Sequence, residues 1–207
     1  GLFGFGTLAG VTAAAETSPT GPVPLSPPAA VQSAEPVRYS EDWVRKTLTD
    51  LHLRYPKLTR LVPLGKSHEG RTLWALVIGR NLKRHDPRPA IVVSGAHHGV
   101  ETFSIDLALD VAEVLLLRAG EDKRAGLRMD PTLDKRVQRW LKDLVVWCVP
   151  VVNPDGVWAS LNGYVRTGRK NGRDNNSNGK PDRGDGVDLN RNYPFRWGFL
   201  GDKGSSP

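Results

Sequence analysis

A histidine and a carboxylate, both able to bind a divalent metal, stand three positions apart in Ser94-Gly95-Ala96-His97-His98-Gly99-Val100-Glu101. His98 and Glu101 offer a neutral nitrogen and a carboxylate oxygen. Borderline-soft zinc accepts that pair, and a catalytic site would add one more protein ligand and a water. The segment lies where an apolar run ends and a helical pattern begins, which is where open α/β sheets place their sites. On its own the spacing equally suits a surface histidine beside the glutamate of a helix start. A second segment, Val149-Pro150-Val151-Val152-Asn153-Pro154-Asp155-Gly156, ends a strand with a strong turn sequence, since proline fixes φ and glycine permits φ > 0. A third carries guanidinium groups: Arg166-Thr167-Gly168-Arg169-Lys170-Asn171, then a polar loop, then Gly186-Val187-Asp188-Leu189-Asn190-Arg191-Asn192-Tyr193-Pro194. Two arginines near a metal would suit recognition of a carboxylate and of a developing oxyanion; otherwise Arg169 and Arg191 are solvated surface charges.

The surrounding pattern supplies elements that could position these groups. Ser40 can cap a helix with Glu41 and Asp42 in its first turn and apolar residues at Val44, Leu48, Leu51 and Tyr55, ending at Pro56. Leu58–Leu64 and Thr72–Ile78 are β-like runs around the turn Gly65–Arg71 and should form a hairpin. Ala90–Ser94 is a continuous apolar run, expected to be a strand buried on both faces. A helix over Thr102–Leu117 should carry Asp106, Asp110 and Glu113 on a polar face and end at Gly120. Asp130-Pro131 opens another, with Leu133, Val137, Trp140 and Leu141 on one side. Leu144–Val152 reads as a second fully buried strand. The expected fold class is therefore α/β, with a mixed, mostly buried sheet flanked by helices.

The 207 residues suit one domain, and 39% hydrophobic residues suffice for a core. No apolar run approaches the roughly 20 residues of a membrane span. The net charge of +7 is spread among interleaved acids. The local cluster Arg166, Arg169, Lys170, Arg173 runs straight into an Asp-rich loop, which suits a small anion site better than a nucleic-acid surface. The single cysteine, Cys148, excludes an internal disulfide and is expected in the core. Residues 1–15 are apolar with small residues, and Ala13-Ala14-Ala15 has the form of an export-signal cleavage site, so a secreted or periplasmic location is expected. Residues 16–38 are rich in Pro, Ser and Ala and read as an extended linker, with the folded domain at 39–207.

Taken together, the three segments resemble the zinc carboxypeptidase family of carboxypeptidases A, B and T. Gly-x-His-x-x-Glu, Asn-Pro-Asp-Gly, Arg-Lys and Gly-Val-Asp-x-Asn-Arg-Asn occur here in that family's order, from about Tyr39 to the end of the chain. The resemblance implies that His98 and Glu101 are zinc ligands, with His97 a wall residue, and that Asp188 orients the ligand histidine. Arg169 would polarise the scissile carbonyl and steady the oxyanion. Asn190 and Arg191 would grip the terminal carboxylate of a peptide or protein substrate. The implied activity is release of C-terminal amino acids by a zinc-activated water. The family's third ligand, general-base glutamate and closing tyrosine would lie past Pro207, so the catalytic domain is expected to be partial and this chain alone inactive. His-Gly-Val-Glu is closer to the His-Gly-Asn-Glu of the regulatory carboxypeptidases than to the A-like pattern, which often has Arg before the glutamate.

One feature stands apart from this resemblance. Asp174, Asn176, Asn178, Asp182 and Asp185 place oxygen side chains at positions 1, 3, 5, 9 and 12 of a loop with Gly179 at position 6, as in calcium loops of the EF-hand kind. Calcium is the corresponding expectation, against an ordinary polar surface loop.

Overall fold

The computed structural model describes residues 35–120, 130–163, 168–179, 184–195 and 197–199. The expected export-signal remnant, most of the Pro-rich segment, Arg166 and Asp182 lie outside them.

Helix α1 (Glu41–Arg54) starts as its sequence requires. Ser40 Oγ accepts from Trp43 N at 3.2 Å, and Glu41 and Asp42 occupy the positive end of the helix dipole. Val44, Leu48 and Leu51 bury one stripe, and Tyr55 closes the helix. Strands β1 (Thr59–Lys66) and β2 (Thr72–Ile78) form the expected antiparallel hairpin, with an irregularity between Pro63 and Gly65. After β3 (Ala90–Ser94) come helices α2 (Phe103–Ala119) and α3 (Pro131–Asp143), and then β4 (Val145–Val149). Asp130 caps α3 by accepting from Thr132 N and Leu133 N, with Pro131 at the helix start, where its missing N–H costs nothing.

The sheet order is β1-β2-β4-β3; β4 runs antiparallel to β2 and parallel to β3. Leu76 and Ile78 of β2 and Val146 and Cys148 of β4 join the buried stripes of α1, α2 and α3 in one core cluster. A fully buried leucine such as Leu48 or Leu76 contributes roughly 1.5–3 kcal/mol by leaving water. Cys148 lies in this core as expected; its Sγ donates to Ala108 O, and burial pushes the thiol pKa up to about 12.

Three expectations need correction. β3 is not buried on both faces: Ile91 is 50% and Val92 63% exposed. An apolar run shows that a strand can be covered, but coverage needs neighbours. Among the described residues β3 is the last strand in the order and pairs only with β4. Trp140 does not join the core side of α3; it is 40% exposed and lies under the Arg136 guanidinium at 5.3 Å. Finally, Asn-Pro-Asp-Gly does more than end a strand. It opens a helix, α4 (Pro154–Leu161), with Asn153 Oδ1 accepting from Gly156 N at 2.8 Å. Asn before Pro, followed by an acid in the first turn, is a helix start as well as a turn. β4 accordingly ends at Val149.

Candidate metal centre

The parallel pair β3/β4 brings two loops to one edge. Ser94 and Val149 are partners in register, so the chain leaves both strands at the same level. Backbone bonds then knit the loops: Gly95 N donates to Val149 O, Val152 N to Gly95 O and Asn153 N to Ala96 O. Ala96 turns the chain with φ at 45°, a left-handed conformation that strains a residue with a Cβ. It is held there by Ser104 Oγ, which accepts from Ala96 N at 2.7 Å.

This turn delivers His98 into the protein, 5% exposed. Its Nδ1 stands 2.8 Å from Glu101 Oε1 and its Nε2 3.1 Å from Asp188 Oδ1. Asp188 is itself buried. It accepts from Arg169 Nε at 3.0 Å through its other oxygen, and its side chain caps a short 3-10 helix (η1, Leu189–Arg191) through Asn190 N at 3.1 Å. Burial alone would raise the Asp188 pKa; the His98 bond and the Arg169 guanidinium outweigh it and hold the carboxyl below its usual range. Asp188 is therefore an anion at neutral pH and an acceptor for a proton on His98 Nε2. With the proton on Nε2, the Nδ1 lone pair would face a Glu101 oxygen, two acceptors at hydrogen-bond distance. Such a pair needs a positive particle between its members, either a proton or a metal ion. The donor set of one imidazole nitrogen and one carboxylate, with a carboxylate fixing the imidazole tautomer, fits zinc.

Of the sequence-derived candidates, His98, Glu101, Asp188 and Arg169 thus form one connected network. Asn190 joins it through its backbone. Arg191 follows at once, exposed, its Nη1 on Asn190 O at 3.0 Å. His97 is half-buried against Tyr193, with Nε2 and Oη 2.7 Å apart. Among the described residues no group of three or more His, Cys, Asp or Glu side chains could hold a metal ion. His52 is engaged elsewhere, 2.9 Å from Thr59 Oγ1.

The Asp-rich loop closes on itself. Asp174 accepts from Asn178 N and Gly179 N, and Asn176 from Asn178 N. Asp185 instead accepts from Asn175 N, so the side chains of Asp174, Asn176 and Asp185 serve the loop's own amides. A cavity of about 460 Å³ lined by Tyr39, Glu41, Arg71, Trp74 and Trp158 includes none of His98, Glu101, Arg169, Asp188, Asn190 and Arg191.

Two groups escaped the reading of the sequence. Asn153, 1% exposed, donates to His97 O at 3.1 Å and so ties α4 to the loop that carries His98. Its signal was present in the Asn-Pro-Asp order. Asp155, also 1% exposed, receives Ser67 and Arg71 from 88 and 84 positions away, a pairing that no local pattern announces.

A histidine–carboxylate pair at the carboxyl end of a parallel strand, backed by a buried aspartate and an arginine, marks the candidate site of this α/β domain. Comparison with known proteins narrows the class. The zinc carboxypeptidase family model matches residues 44–207. The chain is 29% identical over 159 residues to a zinc carboxypeptidase of Saccharothrix mutabilis subsp. capreolus, covering 76% of this chain and 32% of that one. It is 34% identical over 156 residues to the carboxypeptidase N catalytic chain of Rattus norvegicus, covering 74% and 30%. Among solved structures, carboxypeptidase A from Helicoverpa armigera superposes with a TM-score of 0.52 at 26% identity, over 77% of this chain and 34% of that one. Thrombin activatable fibrinolysis inhibitor shares the fold with a TM-score of 0.57 at 23% identity, over 76% and 35%. This chain belongs to the zinc carboxypeptidase family. It spans about a third of the length of the curated relatives named here.

Proposed function

We propose that this chain contributes zinc ligands and carboxylate recognition to a secreted metallocarboxypeptidase that releases C-terminal amino acids from peptides. The observation that carries this reading is His98, buried between Glu101 and Asp188. His98 Nδ1 and Glu101 would hold the zinc, while Asp188 keeps the proton on Nε2. When bound, zinc supplies Lewis acidity and brings the pKa of a coordinated water towards neutrality. Arg169 is anchored on Asp188 yet 48% exposed, so its remaining N–H groups can donate to a scissile carbonyl as charge develops on the oxygen. Asn190 and Arg191, carried on the η1 turn that Asp188 caps, would bind the terminal carboxylate. An internal peptide bond offers no such anion, which is the basis for exopeptidase action. The apolar stretch 2–15 with Ala13-Ala14-Ala15 at its end supports export.

Two ligands do not complete a catalytic zinc site, so the 207 residues by themselves are expected to release no amino acids even with zinc added. Arg191→Ala in the full-length gene product should weaken transition-state binding of carboxylate-terminated peptides, by about 2–5 kcal/mol where the bound substrate desolvates the pair and its carboxylate loses its partner. Amidated peptides should be affected far less. Equal losses in steady-state kinetics would remove Arg191 from the clamp.

The loop at 174–185 is the candidate second, oxygen-only site, supported by its donor spacing. Calcium there should raise the melting temperature in a concentration-dependent way, and Asp174→Ala together with Asp182→Ala should abolish the rise. A melting curve indifferent to millimolar calcium would leave a loop closed by its own amides.

A further inference from the structure

The first turn of α4 is where the ligand loop, the Arg169 loop and the β1–β2 turn meet. Asn153 Nδ2 reaches His97 O at 3.1 Å and Arg169 O at 3.5 Å. Gly156 lies in backbone contact with Gly99 on one side and Gly168 on the other. Between them in sequence, Asp155 points a buried carboxylate at the hairpin turn. Its Oδ1 accepts from Ser67 Oγ at 2.6 Å and Arg71 Nη1 at 2.7 Å, and its Oδ2 from Glu69 N at 3.2 Å. Arg71 is further fixed by Glu69 and by the Trp158 ring, 4.7 Å from the guanidinium carbon. A carboxylate 1% exposed with three donors is costly to strip of any of them, so the hairpin turn and α4 are held in one relative position.

We propose that Asp155, with Arg71 as its counter-ion, is a positioning residue for the metal centre: through the first turn of α4 it sets where His98 and Arg169 stand. The proposal rests on the zinc reading of His98 and Glu101. It makes the Glu-Gly-Arg turn, remote in sequence from the site, a part of the site's support. Groups that hold a metal ligand in place typically change affinity by about 10–100-fold when removed, without touching the metal.

The test uses the full-length gene product and follows zinc affinity by chelator competition, kcat and KM on a C-terminally free peptide, and folding by circular dichroism. Asp155→Asn keeps the shape of the helix start and removes the charge. It should weaken zinc binding and lower kcat by about tenfold each, with KM little changed. Ser67→Ala, which removes a single donor, should move both in the same direction by less, and it guards against an Asp155 variant that does not fold. Asp134→Asn is the control: it breaks a comparable pair with Arg118, 2.9 Å long, between α3 and α2. It should lower the melting temperature and leave zinc affinity and kcat alone. Wild-type zinc affinity and kcat in folded Asp155→Asn and Ser67→Ala, or losses no larger than in Asp134→Asn, would overturn the proposal. A wild-type protein that binds no zinc would instead overturn the site reading on which it rests.

Discussion

His98→Ala is expected to abolish tight zinc binding in the full-length gene product, whereas His97→Ala should leave it nearly intact. The two histidines are adjacent, but only His98 stands in the Gly-x-His-x-x-Glu register, and their environments differ as well. His98 is buried, with one nitrogen towards Glu101 and the other on Asp188. His97 spends Nε2 on Tyr193, and burial followed by the neighbouring His98 hold its pKa below the ordinary imidazole range. Loss of a supporting carboxylate such as Asp188 typically costs about 10–100-fold in metal affinity, and loss of the ligand itself should exceed that. Metal analysis after dialysis decides the point. Equal zinc loss in the two variants would overturn the assignment of His98.

Gly99→Ala should be nearly as damaging, by a route that involves no chemistry. A Cβ at Gly99 would overlap the backbone of Gly156 and Val157, and Gly99 N donates to Gly168 O at 2.6 Å from the other side. No flexible side chain is there to give way, so either the ligand loop or α4 must move. Overpacking in well-packed sites costs typically 1–3 kcal/mol and occasionally more; rigid backbone on both sides places this case at about 3 kcal/mol or above. The melting temperature should fall steeply, and any folded protein should bind zinc poorly because His98 is displaced. A variant with wild-type stability and zinc affinity would mean that the two backbones are not in contact.

Much of this arrangement is legible in the sequence, and the reasons differ by element. α1 announced itself through a cap, an acidic first turn and a 3–4 spacing of apolar residues, all local signals that survive in the fold. His98, Glu101 and Asp188 stood out as candidates because ordered motifs match a known family, and the fold brings the three side chains together. The burial of β3 was not, since Ala90–Ser94 states only what the strand tolerates, not which layers lie against it. α4 was missed because the same four residues, Asn-Pro-Asp-Gly, serve equally well as a turn and as a helix start. The bond from Asp155 to Ser67 and Arg71 joins segments more than 80 positions apart, and nothing in either segment points to the other.

The central claim is that the pair held by Asp188 is a zinc site serving removal of C-terminal residues. It is tested most directly by zinc-dependent release of amino acids from paired peptides, one ending in a free carboxylate and one amidated, by the full-length gene product. The predicted result is release from the free peptide only, lost on zinc removal, restored by adding zinc back, and absent in His98→Ala. Release that persists without metal, or that proceeds equally from the amidated peptide, would contradict it.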